Sequence, residues 1–583
     1  MEHRWSQTPR AFRLLVVFLL YLGFAALRYW PALAHVNSHV DLPGGDAAIP
    51  IWSLGWAAHL ITHGGNPFHT NWLLAPVGFN LLANTTVLTL GLVMAPVTLL
   101  VGPVVSYNLT LVLAFALTAT AAYVLLRRWT HWAPAALVGG LMFVWSGYMI
   151  EAGLIYPNLA FIPAIPLIIL CIDHLLVSQD RPPLRWGIAL GVIVVLQFFI
   201  SPELLIDTIE VCVVGLLVLA AANRHQAVDH LRKAASGLAV AVGIAVVCLA
   251  YPAWYAVFGP QNFYRPRPNA LYGADLLSPF VPTSNQLATV SSLRRVGDSL
   301  SGGPVPVFGH QYVVTDVAYL GIPLVVVALA VIVVKRHRRF VQFLGLMAVL
   351  TFVGALGPKL KFHNHLLGVT LPSVVLPHVP LIRLTSPERY MVFTDLAAAA
   401  LAVIALEGLR RRTQNRPMRH GSWLAPGAVA VLILIALAPA TYTALPLRTP
   451  AFFTGNQVNA IPAGSTVLTY PFPRPDNSVP MVWQATSQFR FKLVGGYMLS
   501  PAVYVPPSTT ESVLNQIDAG HPPAALSPVL EAKVHQELHD WHVDVVVVAL
   551  NQPHAAAAAA FFTSLFGHGP SRVDGVGVWY QVN

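Results

Sequence analysis

Residues 105–128 read VSYNLTLVLAFALTATAAYVLLRR, an apolar run that ends in two arginines. The apolar part is about 22 residues long, which is the length that an α-helix needs to cross the roughly 30 Å hydrocarbon core of a bilayer. Lys and Arg are enriched in the cytoplasmic loops that flank such helices. The segment therefore predicts a transmembrane helix whose C-terminal end faces the cytoplasm.

The composition of the whole chain agrees with this reading. Of 583 residues, 56% are hydrophobic and 10% are charged, and the mean hydropathy is +0.63. Ordinary soluble domains contain about 25% charged residues. The formal net charge is +10, but the basic residues form short clusters between apolar runs, as in cytoplasmic loops rather than in a nucleic-acid groove. We therefore expect an α-helical polytopic membrane protein and exclude a soluble enzyme.

About eleven apolar segments are predicted to cross the membrane. With the N-terminus in the cytoplasm, eleven crossings put every basic cluster on the cytoplasmic side and the tail outside. The predicted crossings are roughly 11–34, 105–126, 134–151, 158–177, 186–200, 204–222, 234–257, 317–334, 340–357, 390–409 and 422–442. The long outer loops are predicted at 35–104, 258–316 and 358–389.

One further apolar segment decides whether this topology holds. Residues 86–102 are apolar enough to cross, but the run is short and is interrupted by Pro96. We expect it to form a re-entrant or surface helix on the outer face. A crossing there would invert everything downstream.

The tail differs in character from the rest of the chain. Segments 465–472, 489–497 and 544–550 have the apolar composition and the flanking Gly, Pro or Asp of strands, and 510–520 and 527–543 are predicted helices. The chain is thus predicted to consist of a membrane domain at 1–442 and an extracytoplasmic α/β domain at 443–583.

The outer loops hold the carboxylates that could act in chemistry. Asp46 follows two glycines and begins an apolar stretch, GGDAAIPIWSLGWAAHL, in a loop without Lys or Arg. It is either a helix N-cap or a catalytic acid. Asp41 is a nearby rival.

Two more acids lie at predicted helix ends. Glu151 ends the third predicted crossing and is either a solvated end residue or half of an acidic pair. Glu203 follows Ser201-Pro202, so it occupies the first turn of a helix, where the helix dipole alone favours an acid.

Two arginines lie on the predicted outer side, unlike the basic clusters, which are predicted to be cytoplasmic. Arg383 and Arg389 lie in PLIRLTSPERYMVF, before the tenth predicted crossing and on its outer side. The planar guanidinium binds phosphate oxygens through two bonds, so a lipid phosphate is the expected partner. The alternatives are an ion pair with Glu388 and an interfacial arginine that reaches for the headgroups.

Metal binding has little support in the spacing of the possible ligands. His59 and His63 are four residues apart on a predicted interfacial helix, but the rest of a H-E-x-x-H motif is missing. Cys171, Cys212 and Cys248 lie inside apolar segments without zinc or disulfide spacing.

The chain resembles the GT-C superfamily of glycosyltransferases that use polyprenyl-phosphate sugars. The resemblance rests on an N-inside first helix, a long outer loop with an early Asp, and the LRRW stretch at 126–129. The stretches GGDAAIPIWSLGWAAHL, APVGFNLLANT, QFFISPE, RLTSPERY and VLTYPFP are similar to actinobacterial members with a C-terminal outer domain, broadly YfhO-like.

The resemblance implies roles for several residues. Asp46 matches the early loop acid, which acts as general base or holds a metal that orients the acceptor, and Glu151 best matches the second outer acid. The acids occur singly, without a D-x-D pair, so the sequence leaves open whether the protein binds a divalent cation such as Mg²⁺ or Mn²⁺. The donor would be a polyprenyl-phosphate sugar, its phosphate held by Arg383 or Arg389. The acceptor would be an envelope glycan or lipid, glycosylated with inversion.

Two other classes of function fit a chain of this kind. A flippase or transporter of lipid-linked sugars would also have many helices and few intramembrane charges. A non-catalytic envelope assembly protein could carry a large outer domain. The charged residues gather on one predicted face instead of at the midplane, which favours the enzyme.

Overall fold

The computed structural model describes most of the chain. The described residues are 9–43, 45–85, 87–261, 273–301, 305–307, 310–312, 318–379, 386–414, 423–475, 477–498 and 507–582.

Long apolar helices dominate the described chain. Six of them are long and apolar enough to cross a membrane: Arg10–Arg28, Pro103–Trp129, Pro157–Val177, Pro202–Ala222, Arg224–Phe258 and Pro387–Thr413. A bent pair, Ala133–Val144 and Gly147–Ile155, makes a seventh if it is counted as one span. The shorter apolar helices are Leu88–Val101, Pro183–Phe198, Ile322–Val334, Arg339–Ala355, Leu424–Leu437 and Ala555–Phe566. The protein is therefore a helical membrane protein.

Every one of the eleven predicted crossings coincides with a helix or a helix pair in the described structure. Four of these helices are short, from the 13 residues of Ile322–Val334 to the 17 residues of Arg339–Ala355. At 1.5 Å per residue they rise about 20–25 Å, which is less than a full hydrocarbon core. The helical positions are thus confirmed, whereas the number of crossings stays a prediction.

The third predicted crossing, 134–151, needs a correction. The helix breaks between Val144 and Gly147, and its two parts are bent by 55°. The Ser146 hydroxyl accepts a hydrogen bond from the Met149 backbone N–H, so it caps a new helix. Because that helix runs to Ile155, Glu151 lies inside it and not at the end of a crossing.

The chain folds into two compact units. The first consists of residues 1–30, 111–249 and 266–442, and the second of residues 31–110, 250–265 and 443–583. One cut between the units falls between residues 442 and 443, where the predicted domain boundary lies, but the second unit also includes the predicted outer loop 35–104.

Small residues let helices of the first unit approach closely. A Cβ atom added to Gly187 would lie 2.1 Å from the Gly237 carbonyl oxygen, and one added to Gly237 would lie 2.5 Å from the Pro183 oxygen. Helices Pro183–Phe198 and Arg224–Phe258 therefore pack backbone against backbone here, as membrane helices do at glycines.

A five-stranded sheet forms the core of the tail. Its strands are β1 (Thr466–Tyr470), β2 (Lys492–Leu493), β3 (Val545–Ala549), β4 (Ser571–Val573) and β5 (Val576–Tyr580). The order is β2-β1-β3-β5-β4, with β1 parallel to β2 and β3, and β5 antiparallel to β3 and β4. All residues of β1 and β3 are buried, which explains the continuous apolar sequence of β3.

The elements predicted in the tail are present, and one hairpin was missed. Helices Thr509–Asp518 and Pro528–Asp540 occupy the predicted helical segments, and β1, β2 and β3 lie within the predicted strands. The hairpin consists of β4, which has three residues and is largely exposed, and β5, which has five residues and is largely buried. Such short strands give only a weak strand pattern in the sequence.

The outer-loop part of the second unit is built around two helices. Helix Ala48–His63 packs against Leu88–Val101, where a Cβ atom added to Gly91 would lie 2.4 Å from the Ala57 Cβ. Short antiparallel ribbons join His39–Val40 to Leu445–Pro446 and His69–Thr70 to Phe79–Asn80. That the second helix does not cross the membrane stays a prediction.

Two further ribbons and a short helix belong to the first unit. Val305–Val307 pairs with His310–Tyr312, and Lys359–Phe362 pairs with His365–Thr370, both in antiparallel orientation. The helix is Ser291–Leu300.

Candidate active site

Asp46 lies in a tight turn just before a buried helix. Residues Gly45–Ala47 form a 3-10 turn that leads directly into helix Ala48–His63. Gly45 has a φ of +52°, a left-handed conformation that glycine adopts without steric cost. The N-cap of the helix is Ala47, with no side-chain cap bond, so the interpretation of Asp46 as the N-cap is wrong.

Two hydroxyl groups hold this turn. The Tyr497 hydroxyl donates a hydrogen bond of 2.6 Å to Asp46 Oδ1. The Ser478 hydroxyl donates one of 2.6 Å to the Gly45 carbonyl oxygen. The loop of Asp46 contains no Lys or Arg, and the structure instead supplies neutral donors from the C-terminal region. Sequence reasoning did not find Tyr497 or Ser478, because they lie more than 400 positions along the chain.

Asp41, the rival of Asp46, is buried in the core of the second unit. Its relative exposure is 1%, whereas Asp46 is partly exposed. It directly follows the ribbon that contains His39, and the Asn108 side chain donates 2.9 Å bonds to the carbonyl oxygens of Val36 and His39. Asp46 is thus the more accessible of the two acids to a soluble or lipid substrate.

His59 belongs to an aromatic stack on the same helix as Trp56. Its ring centroid lies 4.4 Å from that of His63, 5.4 Å from that of Trp56 and 5.2 Å from that of Phe489. Burial, and then the neighbouring His63, lower the pKa of His59 to about 4, so the ring is neutral near pH 7. No group of three His, Cys, Asp or Glu side chains in the described chain is arranged to hold a metal ion.

Arg389 and Glu203 meet in the first unit. Arg389 lies in the 3-10 turn Pro387–Tyr390, is 9% exposed and forms an ion pair with the Glu203 carboxylate. The sequence offered Glu388 as the partner of an ion pair here, whereas the structure pairs Arg389 with Glu203. Arg383 lies outside the described residues.

The Arg389 ion pair is part of a larger charged cluster. The Tyr148 hydroxyl is close enough to interact electrostatically with the charges of Arg389, Glu151, Asp207 and Glu203. The predicted residues Glu151, Glu203 and Arg389 thus all lie within electrostatic range of Tyr148, as does Asp207.

A spacing in the sequence could have revealed this cluster. Glu203, Asp207 and Glu210 are separated by four and three residues, which puts them on one face of helix Pro202–Ala222. The Tyr390 hydroxyl donates to the Glu210 carboxylate, so that face meets the turn that carries Arg389. Three acids on one face of an apolar helix indicate a functional or structural cluster, since such groups are costly there.

Arg28 is a second buried arginine that sequence reasoning missed. It ends the first helix, is 7% exposed and donates a 3.0 Å bond from Nη2 to the carbonyl oxygen of Ile150, the neighbour of Glu151. Its guanidinium lies 5.6 Å and 5.2 Å from the ring centroids of Tyr29 and Phe115. Among the described residues, Nε and Nη1 of Arg28 have no hydrogen-bond partner.

The two units thus carry different chemical groups. The second unit holds a carboxylate on a rigid turn, which is what a general base requires. The first unit holds buried arginines and carboxylates, which can bind or balance charge.

Two comparisons with sequences bear on this chain. The model of a family described as "Domain of unknown function (DUF6311)" matches residues 15–406. No curated protein matches the chain significantly.

Several solved structures are similar to the chain. The arabinofuranosyltransferase AftD from Mycobacteria has a TM-score of 0.52 at 14% identity, over 99% of this chain and 40% of AftD. The apo Archaeoglobus fulgidus oligosaccharyltransferase has a TM-score of 0.49 at 12% identity, over 95% and 71% of the two chains. ArnT from Cupriavidus metallidurans, bound to undecaprenyl phosphate, has a TM-score of 0.41 at 12% identity, over 96% of this chain and 97% of ArnT. Of these three, the first exceeds 0.5, and its low identity makes the likeness one of fold.

Proposed function

The chain belongs to the DUF6311 family, and we propose that it is a membrane glycosyltransferase. It transfers a sugar from a polyprenyl-phosphate donor to a glycan or lipid of the cell envelope, on the outer face of the membrane. The fold likeness to the arabinofuranosyltransferase AftD, which extends over 99% of the chain, supports this class. The observation that carries the proposal is the partly exposed carboxylate of Asp46 on a turn held by two hydrogen bonds.

Asp46 is the general base in this proposal. Its carboxylate takes the proton of the acceptor hydroxyl as the acceptor oxygen attacks the anomeric carbon. The bond between that carbon and the phosphate oxygen breaks, and the polyprenyl phosphate leaves with the electron pair. One such displacement inverts the anomeric centre. A base fixed by neighbouring donors loses less entropy in this step than a mobile one, which supports the role of the turn.

The departing phosphate needs positive charge. Arg383 and Arg389 are the residues proposed for this role from the sequence. Arg389 is already paired with Glu203, so any contact with phosphate would use the remaining nitrogens of its guanidinium. Glu151 and Glu203 act in this proposal by setting the charge around Arg389, and Glu151 remains the second proposed catalytic acid.

The test is sugar transfer by the purified full-length protein in lipid nanodiscs. The probes are radiolabelled polyprenyl-phosphate pentoses and hexoses, offered with an envelope lipid extract as acceptor. We expect one of them to give labelled product, and Asp46→Asn to lower the rate by about 10²-fold or more, since a positioned base contributes that much. Asn keeps the size of Asp, so folding should be unaffected.

Asp540→Asn is the matched control, because Asp540 is exposed on a helix of the same unit. It should transfer sugar like the wild type. Near-normal turnover by Asp46→Asn would end the case for Asp46 as the base. Donor sugar that appears across the bilayer without being transferred would instead favour a flippase.

A further inference from the structure

The edge of the tail sheet binds the early outer loop. The Leu493 N–H donates to the Trp72 carbonyl oxygen at 2.9 Å, and the Ala75 N–H donates back to the Leu493 carbonyl oxygen at 3.1 Å. The Leu74 N–H donates to the Gly495 carbonyl oxygen at 3.0 Å. The loop therefore extends the sheet beyond β2 and covers an edge that would otherwise be unpaired. Main-chain pairing of this kind fixes the register between the two segments.

Two glycines after this edge direct the chain toward Asp46. Gly495 and Gly496 have φ angles of +77° and +151°, which disfavour other residues. A Cβ atom added to Gly496 would lie 2.7 Å from the side chain of Leu73, so the backbone lies directly on the early loop. The Tyr497 N–H donates to the Met481 sulfur at 3.3 Å. The backbone of Tyr497 is therefore fixed on both sides.

The two hydroxyls that hold the turn of Asp46 act on different groups. Ser478 donates to the backbone oxygen of Gly45 and so holds the main chain of the turn. Tyr497 donates to Oδ1 of Asp46 and so fixes the side chain itself. Tyr497 thus acts on the orientation of the Asp46 carboxylate.

We propose that Tyr497 is a positioning residue for Asp46, and that the sheet of the tail serves to hold the carboxylate of the early loop in a fixed orientation. The proposal rests on the proposed role of Asp46 as general base. Tyr497 acts through Asp46 in this proposal, because its hydroxyl donates to the carboxylate. The tail is then a part of the catalytic machinery, beyond any role in selecting the acceptor.

The test compares Tyr497→Phe with the wild type in two measurements on the full-length protein. The first is sugar transfer, in which we expect kcat to fall about 10-fold or more with an unchanged donor KM. The second repeats the substitution in the Asp46→Asn background. There we expect no further fall in kcat, because a residue that acts through the Asp46 carboxylate has nothing left to position.

Tyr580→Phe is the control, since it removes a hydroxyl at the end of β5 and should change neither measurement. An unchanged kcat in Tyr497→Phe, or an equal fall in kcat with and without Asp46, would overturn the inference. Near-normal transfer by Asp46→Asn would instead overturn the proposed role of Asp46 as base. The two failures are therefore distinguishable.

Discussion

Arg389 and Glu203 form a buried ion pair between the turn that precedes one long helix and the first turn of another. Removing one member leaves a charge without its partner in a low-dielectric environment. We expect Arg389→Met or Glu203→Gln alone to lower the free energy of unfolding by about 3–5 kcal/mol. Thermal unfolding in nanodiscs would measure this loss.

The double variant tests whether the stability of the protein depends on the pairing of the two charges. Arg389→Met with Glu203→Gln should lose less stability than the sum of the single variants, because no charge is stranded. Additive losses would show that the pair is not coupled.

If Arg389 also contacts the donor phosphate, Arg389→Lys should raise donor KM, since lysine lacks the planar fork.

Gly237 should be sensitive to the addition of one methyl group. Its Cβ position lies 2.5 Å from a backbone oxygen of the neighbouring helix, so Gly237→Ala must push the two helices apart. We expect a loss of about 1–3 kcal/mol, as for other overpacked cores. Gly243→Ala on the same helix is the control, because no atom of the described residues lies within 4 Å of its Cβ position. Equal melting temperatures of the two variants would contradict the packing described.

His59 predicts a specific pH dependence of stability. Its pKa in the folded chain is lowered to about 4 by burial and by His63, whereas an unfolded histidine has a pKa of about 6.5. The unfolded chain therefore binds a proton more readily, and the stability that is present above about pH 6.5 is lost as the pH falls toward 4.

The measurement for His59 is the melting temperature between pH 7.5 and 4. His59→Phe keeps an aromatic ring in the stack but cannot take a proton, so the fall in stability should be smaller than in the wild type. Parallel curves for the two proteins would show that His59 does not contribute to the pH dependence.

The orientation of the chain can be tested by cysteine labelling in intact cells. Lys533 and Arg411 are both exposed. Lys533 lies in the tail, which is predicted to be outside, and Arg411 lies at the end of helix Met391–Gln414 that is predicted to face the cytoplasm. In a background where Cys248, the exposed native cysteine, is replaced by serine, a membrane-impermeant maleimide should label Lys533→Cys and not Arg411→Cys. The reverse pattern would show an inverted topology, as expected if residues 86–102 cross the membrane.

The sequence by itself determined where the long apolar helices lie and several elements of the tail, although the hairpin of β4 and β5 and the helix Val479–Thr486 were missed. Apolar runs such as 105–126 must be helical in a bilayer because only a helix satisfies every backbone group locally. The strand in DVVVVAL (544–550) is also evident from the sequence, because its continuous apolar residues require burial on both faces of a sheet. These signals are local, so a single sequence suffices to find them.

The partners of the candidate residues were decided only by the tertiary structure. The sequence identified Asp46, Glu151, Glu203 and Arg389 but could not pair them, since no local pattern encodes a contact between distant segments. Tyr497 reaches Asp46 from 451 positions away, and Glu203 meets Arg389 across 186 positions. Such contacts follow from helix packing and sheet-edge pairing, in which the side chains that meet are fixed by the geometry of whole elements rather than by their neighbours in sequence.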